Sequence, residues 1–141
     1  GLNNTKKDEL IAQIKSLGGD VVEDYSSKVT QLIVPVDDAN KCSRTLKYLL
    51  CLVKGKPIVS PQWVKESIDR RYFLTTDNFI VSGTQDSSDD IVKNSIKTKG
   101  KKIFQGCIFY IKNTSNIVSK QELEKLITVS GGRVISNLPS Q

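Results

Sequence analysis

The sequence predicts an α/β fold, a small parallel sheet flanked by helices, and three observations carry that prediction. Short apolar runs bounded by proline or glycine alternate with segments of helical periodicity. Two Gly-Gly pairs each close an amphipathic helix and precede a β-branched pair. Those two segments also repeat one another. Glu9-Leu10, Ile14, Gly18-Gly19 and Val21-Val22 match Glu122-Leu123, Ile127, Gly131-Gly132 and Val134-Ile135 at a constant offset of 113 residues.

The first helix is expected from about Thr5 to Leu17, where Leu10, Ile11, Ile14 and Leu17 share one face and Thr5 with Asp8 forms a capping pair. Val21-Val22 begins a short strand, and Leu32-Ile33-Val34 forms a second that Pro35 ends. From about Asn40 to Lys54, Cys42, Leu46, Leu49, Leu50 and Val53 fall on one stripe of a helix packed on a sheet, and Gly55 closes it. Pro57-Ile58-Val59 is a third strand. Ser60-Pro61 then starts a helix with a hydroxyl at the cap and proline in the first turn; it carries Trp63, Val64 and Ile68 and ends near Arg70-Arg71. Leu74 to Val81 runs along the sheet edge. Residues 1–82 thus read as one α/β unit that lacks the strand preceding the helix in the second copy.

Residues 83–101 read as a linker, first rich in Ser and Asp and then in Lys, with five lysines and no acid from Lys93 to Lys102. Residues 102–141 resume with a strand, Ile103 to Ile111. Next come the capping box Ser119-Lys-Gln-Glu122 and a helix carrying Leu123, Leu126 and Ile127. The architecture expected is therefore one near-complete repeat plus the start of a second. The opening Gly-Leu-Asn-Asn and the lack of any Met suggest a piece of a longer protein.

Composition narrows the chemistry. A net charge of +6, 38% hydrophobic and 26% charged residues describe an ordinary globular chain with a mild basic bias. With no His, the usual proton shuttle and every imidazole-dependent triad or zinc site are excluded. Cys42, Cys51 and Cys107 form no Cys-x-x-Cys pair, so reduced core thiols are expected and a disulfide framework or thiolate metal site is not. The longest apolar run, Tyr48 to Val53, is far short of the roughly 20 residues that span a bilayer. Asp37-Asp38 and Asp89-Asp90 lack a partner base, and no Gly-rich phosphate loop precedes Lys-Ser or Lys-Thr. Neither an enzyme nor a cofactor is expected.

The order helix, Gly-Gly, short strand, Thr30-Gln31-Leu32-Ile33-Val34, helix, strand and Trp63 three residues into the next helix resembles the BRCT domain. The resemblance covers Gly1 to about Val81 as one repeat without its first strand, and about Lys102 to Gln141 as the opening of a second. Arg44-Thr45-Leu46-Lys47-Tyr48, followed by Gly55-Lys56-Pro57-Ile58-Val59-Ser60 and Trp63-Val64, is similar to the first repeat of the tandem BRCT domains of DNA-damage signalling. That resemblance implies a nuclear reader of phosphoserine or phosphothreonine peptides that recruits its parent protein to phosphorylated partners, a phosphorylated histone tail among them. It implies a phosphate held by a hydroxyl, a glycine N–H and a lysine on the second helix. Gly1 matches the glycine, Lys47 the lysine, and Arg44 the arginine that reads the third residue after the phosphate. The hydroxyl residue would lie just before Gly1.

Physical chemistry supports these residue types, because a phosphate with nearly two charges is held best by a cation, a hydroxyl and a backbone N–H at a helix start. On one helix, Arg44 and Lys47 would lie about 60° apart, beside the apolar stripe. Taken alone, Lys47 reads as a solvated surface lysine and Arg44 as a partner for Asp37 or Asp38. Trp63 reads as core. The Lys93–Lys102 run offers contacts to nucleic acid, but no aromatic interleaves it, and the solvated linker is the favoured reading. The alternative function is a phosphate-independent scaffold pair or a DNA-end-binding module.

Overall fold

Residues 4–99, 104–112 and 119–136 are described by the structure, a computed structural model. The elements in chain order are α1 (Asn4–Ser16), β1 (Leu32–Ile33), α2 (Leu46–Val53), β2 (Ile58–Val59), α3 (Gln62–Arg70), a 3-10 turn at Asp77–Phe79, α4 (Ile91–Thr98), β3 (Ile108–Tyr110), α5 (Lys120–Val129) and β4 (Arg133–Ile135). The α/β class read from the sequence is the one observed.

The offset of 113 residues is a repeat of backbone geometry. Gly18 and Gly131 hold φ of 89° and 91°, a region that glycine alone enters without strain. Gly19 N–H donates to the Ile14 carbonyl at 3.0 Å and Gly132 N–H to the Ile127 carbonyl at 2.9 Å. A Cβ on Gly19 would lie 2.8 Å from Ile14 Cγ2 and from Phe73, and one on Gly132 would lie 2.8 Å from Ile127 Cγ2. Both turns therefore bring the chain back hard against the helix it has just left.

Beyond the two turns the units diverge. In the second unit β3 precedes α5, and β4 pairs with it in parallel, Ile108 with Arg133 and Tyr110 with Ile135. Val21-Val22, the counterpart of Val134-Ile135, joins no ladder among the described residues. It forms no strand, contrary to the sequence expectation, and Val22 is left 61% exposed. Thr5 and Asp8 likewise lie inside α1 and not at its cap.

The main core gathers around β1 and β2, a parallel pair with Leu32 opposite Ile58 and Ile33 opposite Val59, joined through α2 as a parallel connection requires. Ile58, Val59 and Val64 are wholly buried, and Tyr48, Leu50, Cys51 and Val81 nearly so. Each such apolar side chain contributes about 1.5–3 kcal/mol of burial. Trp63 is core, as expected: its indole N–H donates to the Leu74 carbonyl at 2.8 Å and its ring stacks on Phe73 at 5.4 Å. Helix α1 packs on α3, while α2 packs on both α4 and α5.

Five sequence expectations are corrected here. Helix α2 begins at Leu46, not near Asn40, because Asp37 Oδ1 accepts the N–H groups of Ala39 and Lys41, Asn40 turns through φ 61°, and the Thr45 hydroxyl caps the helix by accepting from Tyr48 N–H. The Ser60 hydroxyl caps nothing; Pro61 is the N-cap of α3, and the Ser60 carbonyl accepts from Trp63 N–H. Leu74 to Val81 is not one strand but a 3-10 turn and an antiparallel bridge from Ile80 to Val59. The part of the lysine-rich segment up to Lys99 is not solvated chain. It folds as α4, with Val92 fully buried, Ile91 and Ile96 against the core, and the Ser95 hydroxyl bonded to the Leu52 carbonyl. Of the cysteines, Cys42 and Cys51 are buried as expected, but Cys107 is exposed.

Candidate functional site

The N-terminus of α2 collects the two cations singled out in the sequence. Thr45 is the N-cap, so Lys47 stands in the first turn and Arg44 one residue outside the helix. They do not share a helical face, as the longer predicted helix required. Both are exposed, and neither has an ion pair or hydrogen bond among the described residues. The first turn of α2 contains no carboxylate. Two cations at the positive end of a helix, unpaired, break the usual electrostatic preference and make the place attractive to an anion. Gly1 lies outside the described residues.

Arg44 also lines two adjoining clefts. The larger, about 530 Å³, runs between the 35–44 loop and residues 84–86; the smaller, about 170 Å³, is floored by Leu49, Leu52 and Ile91. Lys47 lines neither. The Tyr48 hydroxyl, buried beside the smaller cleft, has no hydrogen-bond partner among the described residues; burial and the nearby Cys42 push its pKa up.

The walls are held by a network the sequence reading did not find. Asp37 accepts from Lys41 N–H at 3.0 Å and Ala39 N–H at 2.9 Å, and from the Gln85 amide at 2.6 Å. These bonds hold its carboxyl below the usual carboxylate range, the Lys41 N–H foremost. Its oxygens are thereby occupied, and the pairing with Arg44 considered from sequence is not made. The ammonium of Lys41, whose side chain is mostly buried, donates to the Ser82 carbonyl at 2.7 Å and to Asp89 at 2.6 Å, which lowers the Asp89 pKa. Asn40 bonds the Ile80 carbonyl and Ser82, and Cys42 N–H donates to the Gly83 carbonyl. The Asp at the head of a turn was a readable signal; its partner Gln85, 48 residues away in a segment taken for linker, was not.

An α/β unit that sets one exposed cation, Arg44, beside two open clefts has the form of a binding module. Residues 1–68 match the family model of the BRCA1 C Terminus (BRCT) domain. The chain is 32% identical over 121 residues to the breast cancer type 1 susceptibility protein homolog of Rattus norvegicus, covering 81% of the chain and 6% of that protein. It is 30% identical to BRCA1-associated RING domain protein 1 of Homo sapiens over 82% of the chain and 14% of that protein, and 27% identical to PAX-interacting protein 1 of Bos taurus over 99% of the chain and 14% of that protein. Among solved structures, the BRCT5-BRCT6 domains of S. pombe Brc1 share the fold at a TM-score of 0.62 and 16% identity, over 89% of this chain and 59% of that one. The chain belongs to the BRCT family, whose domains generally serve as non-catalytic protein-interaction modules.

Proposed function

We propose that this chain is a phosphopeptide-reading BRCT module of a nuclear DNA-damage-response protein, which recruits its parent to partners phosphorylated on serine or threonine. The observation that carries the reading is the helix start at Thr45, where Arg44 and Lys47 stand exposed and unpaired among the described residues and the first turn of α2 holds no carboxylate. In this reading Lys47 and the free N–H groups of the first turn of α2 hold the phosphate, with Gly1 contributing its N–H. Arg44, at the mouth of both clefts, holds the peptide chain beyond it. The likeness to the breast cancer susceptibility homolog and its associated RING protein supports the damage-response setting and the nuclear location. A phosphorylated histone tail is one ligand with the required chemistry.

Fluorescence anisotropy of a degenerate phosphoserine peptide pool and its unphosphorylated twin tests this reading. Phosphorylated peptides should bind preferentially, and Lys47→Met should remove the preference, a loss of roughly tenfold to a hundredfold for one charge-assisted contact. Equal binding of the two pools would refute the reading.

A further inference from the structure

We propose that the outer face of α4 is a second binding surface, separate from the helix start of α2, that takes the phosphate backbone of duplex nucleic acid. The charge of this chain is concentrated. Between Ile91 and Gln121 lie seven of its 21 basic residues and none of its 15 acidic ones, so the rest of the chain, with 14 bases against 15 acids, carries a net charge of −1. The whole positive excess therefore comes from one stretch.

Folding gives that stretch a direction. Ile91, Val92, Ser95 and Ile96 face inward against the core and α2, which fixes the rotation of α4. Lys93 and Lys97, one turn apart, and Lys99 at the C-cap are exposed, together with Asn94 and Thr98. None of the three lysines has an ion pair among the described residues, whereas Lys7 is paired with Glu23 and Lys41 with Asp89. Of the nearest acids in sequence, Asp89 is already held by Lys41, and Asp90 is the N-cap of α4, one turn before Lys93 and at the opposite end from Lys99.

The chemistry of the face selects among polyanions. A membrane surface needs an amphipathic helix with a free apolar face, and the apolar face of α4 is spent on the core. Single strands are gripped by aromatic stacking, and α4 carries no aromatic residue. Lysines that stand clear of both remain suited to a regular array of phosphates, bound through counterion release without reading of bases.

The test is the salt dependence of binding to a labelled 20-base-pair duplex by the whole chain, measured by anisotropy. Three phosphate contacts predict a slope of about −2.7 in log K against log salt. Neutralising Lys93, Lys97 and Lys99 to Gln should make the slope shallower by about 0.9 per lysine. The same change at Lys15, Lys65 and Arg70, on α1 and α3, should leave it unaltered, and phosphopeptide binding should survive the α4 changes. Far-UV circular dichroism checks the fold, and the single variants Lys93→Gln and Lys97→Gln give the same reading if the triple variant unfolds. An unchanged slope in the α4 variants, no duplex binding at low salt, or poly-glutamate of matched charge binding as tightly as the duplex would each overturn the proposal.

Discussion

Asp37 shows how one side chain sets the geometry of a cleft. Its carboxylate bonds two backbone N–H groups of its own loop and reaches across to Gln85, and these bonds hold its pKa below the ordinary value. A folded-state pKa below the unfolded one adds stability at pH above the ordinary carboxylate value, and that stability is lost as pH falls through it towards the folded pKa. Asp89, lowered by the Lys41 ammonium, acts in the same direction. An acid titration followed by thermal melting should therefore show stability falling below about pH 4, with a shallower fall in Asp37→Asn. The cysteines offer a second check. Burial pushes the Cys42 and Cys51 thiols up and shields them, while Cys107 is exposed. A thiol reagent such as iodoacetamide should modify Cys107 in the native protein and the other two only after unfolding. Native labelling of Cys42 at the rate of Cys107 would show that the 35–44 loop is not packed as described.

Among the elements, the paired Gly-Gly turns give the clearest comparison, because the same geometry occurs twice in different surroundings. Gly18 and Gly131 both lie in the left-handed region and lead into glycines with no room for a Cβ. Gly18→Ala and Gly131→Ala should each cost on the order of 1 kcal/mol through φ alone. Gly19→Ala should cost more, because the new methyl group would strike Ile14 and Phe73. Chemical denaturation of the variants checks the order. Thr45→Ala should cost about 1 kcal/mol by removing the bond to Tyr48 N–H, and should also fray the helix start that carries Lys47. The elements were legible from sequence where a local rule sufficed: the Gly-Gly stops, the Ser119 cap and the Trp63 core position all stand as read. They were misread where a distant partner decides. Val21-Val22 needed a neighbouring strand, and the Asn40–Arg44 stretch is shaped by the bonds of Asp37. Helix α4 was hidden because its inward positions, Ile91, Val92, Ser95 and Ile96, are interleaved with lysines.

Among the described residues, the unit built on β1 and β2 is joined to a strand-helix-strand unit, β3-α5-β4, with α5 of the second packed on α2 of the first. Helix α2 is therefore the hub: it touches the first sheet, α4 and α5, and it presents Arg44 and Lys47 at its start. The sequence singled out those two residues but not their setting, since the clefts beside Arg44 are lined by Thr84, Asp86 and Ser87 from a segment read as linker. The proposed recognition of a phosphate at this helix start is tested residue by residue in a ¹⁵N-resolved NMR titration of the chain with a phosphoserine peptide pool. Saturable shifts should centre on the amides of Arg44 to Tyr48 and be absent with the unphosphorylated pool. Shifts of equal size with both pools, or shifts that leave this segment untouched, would show that the phosphate is not read there.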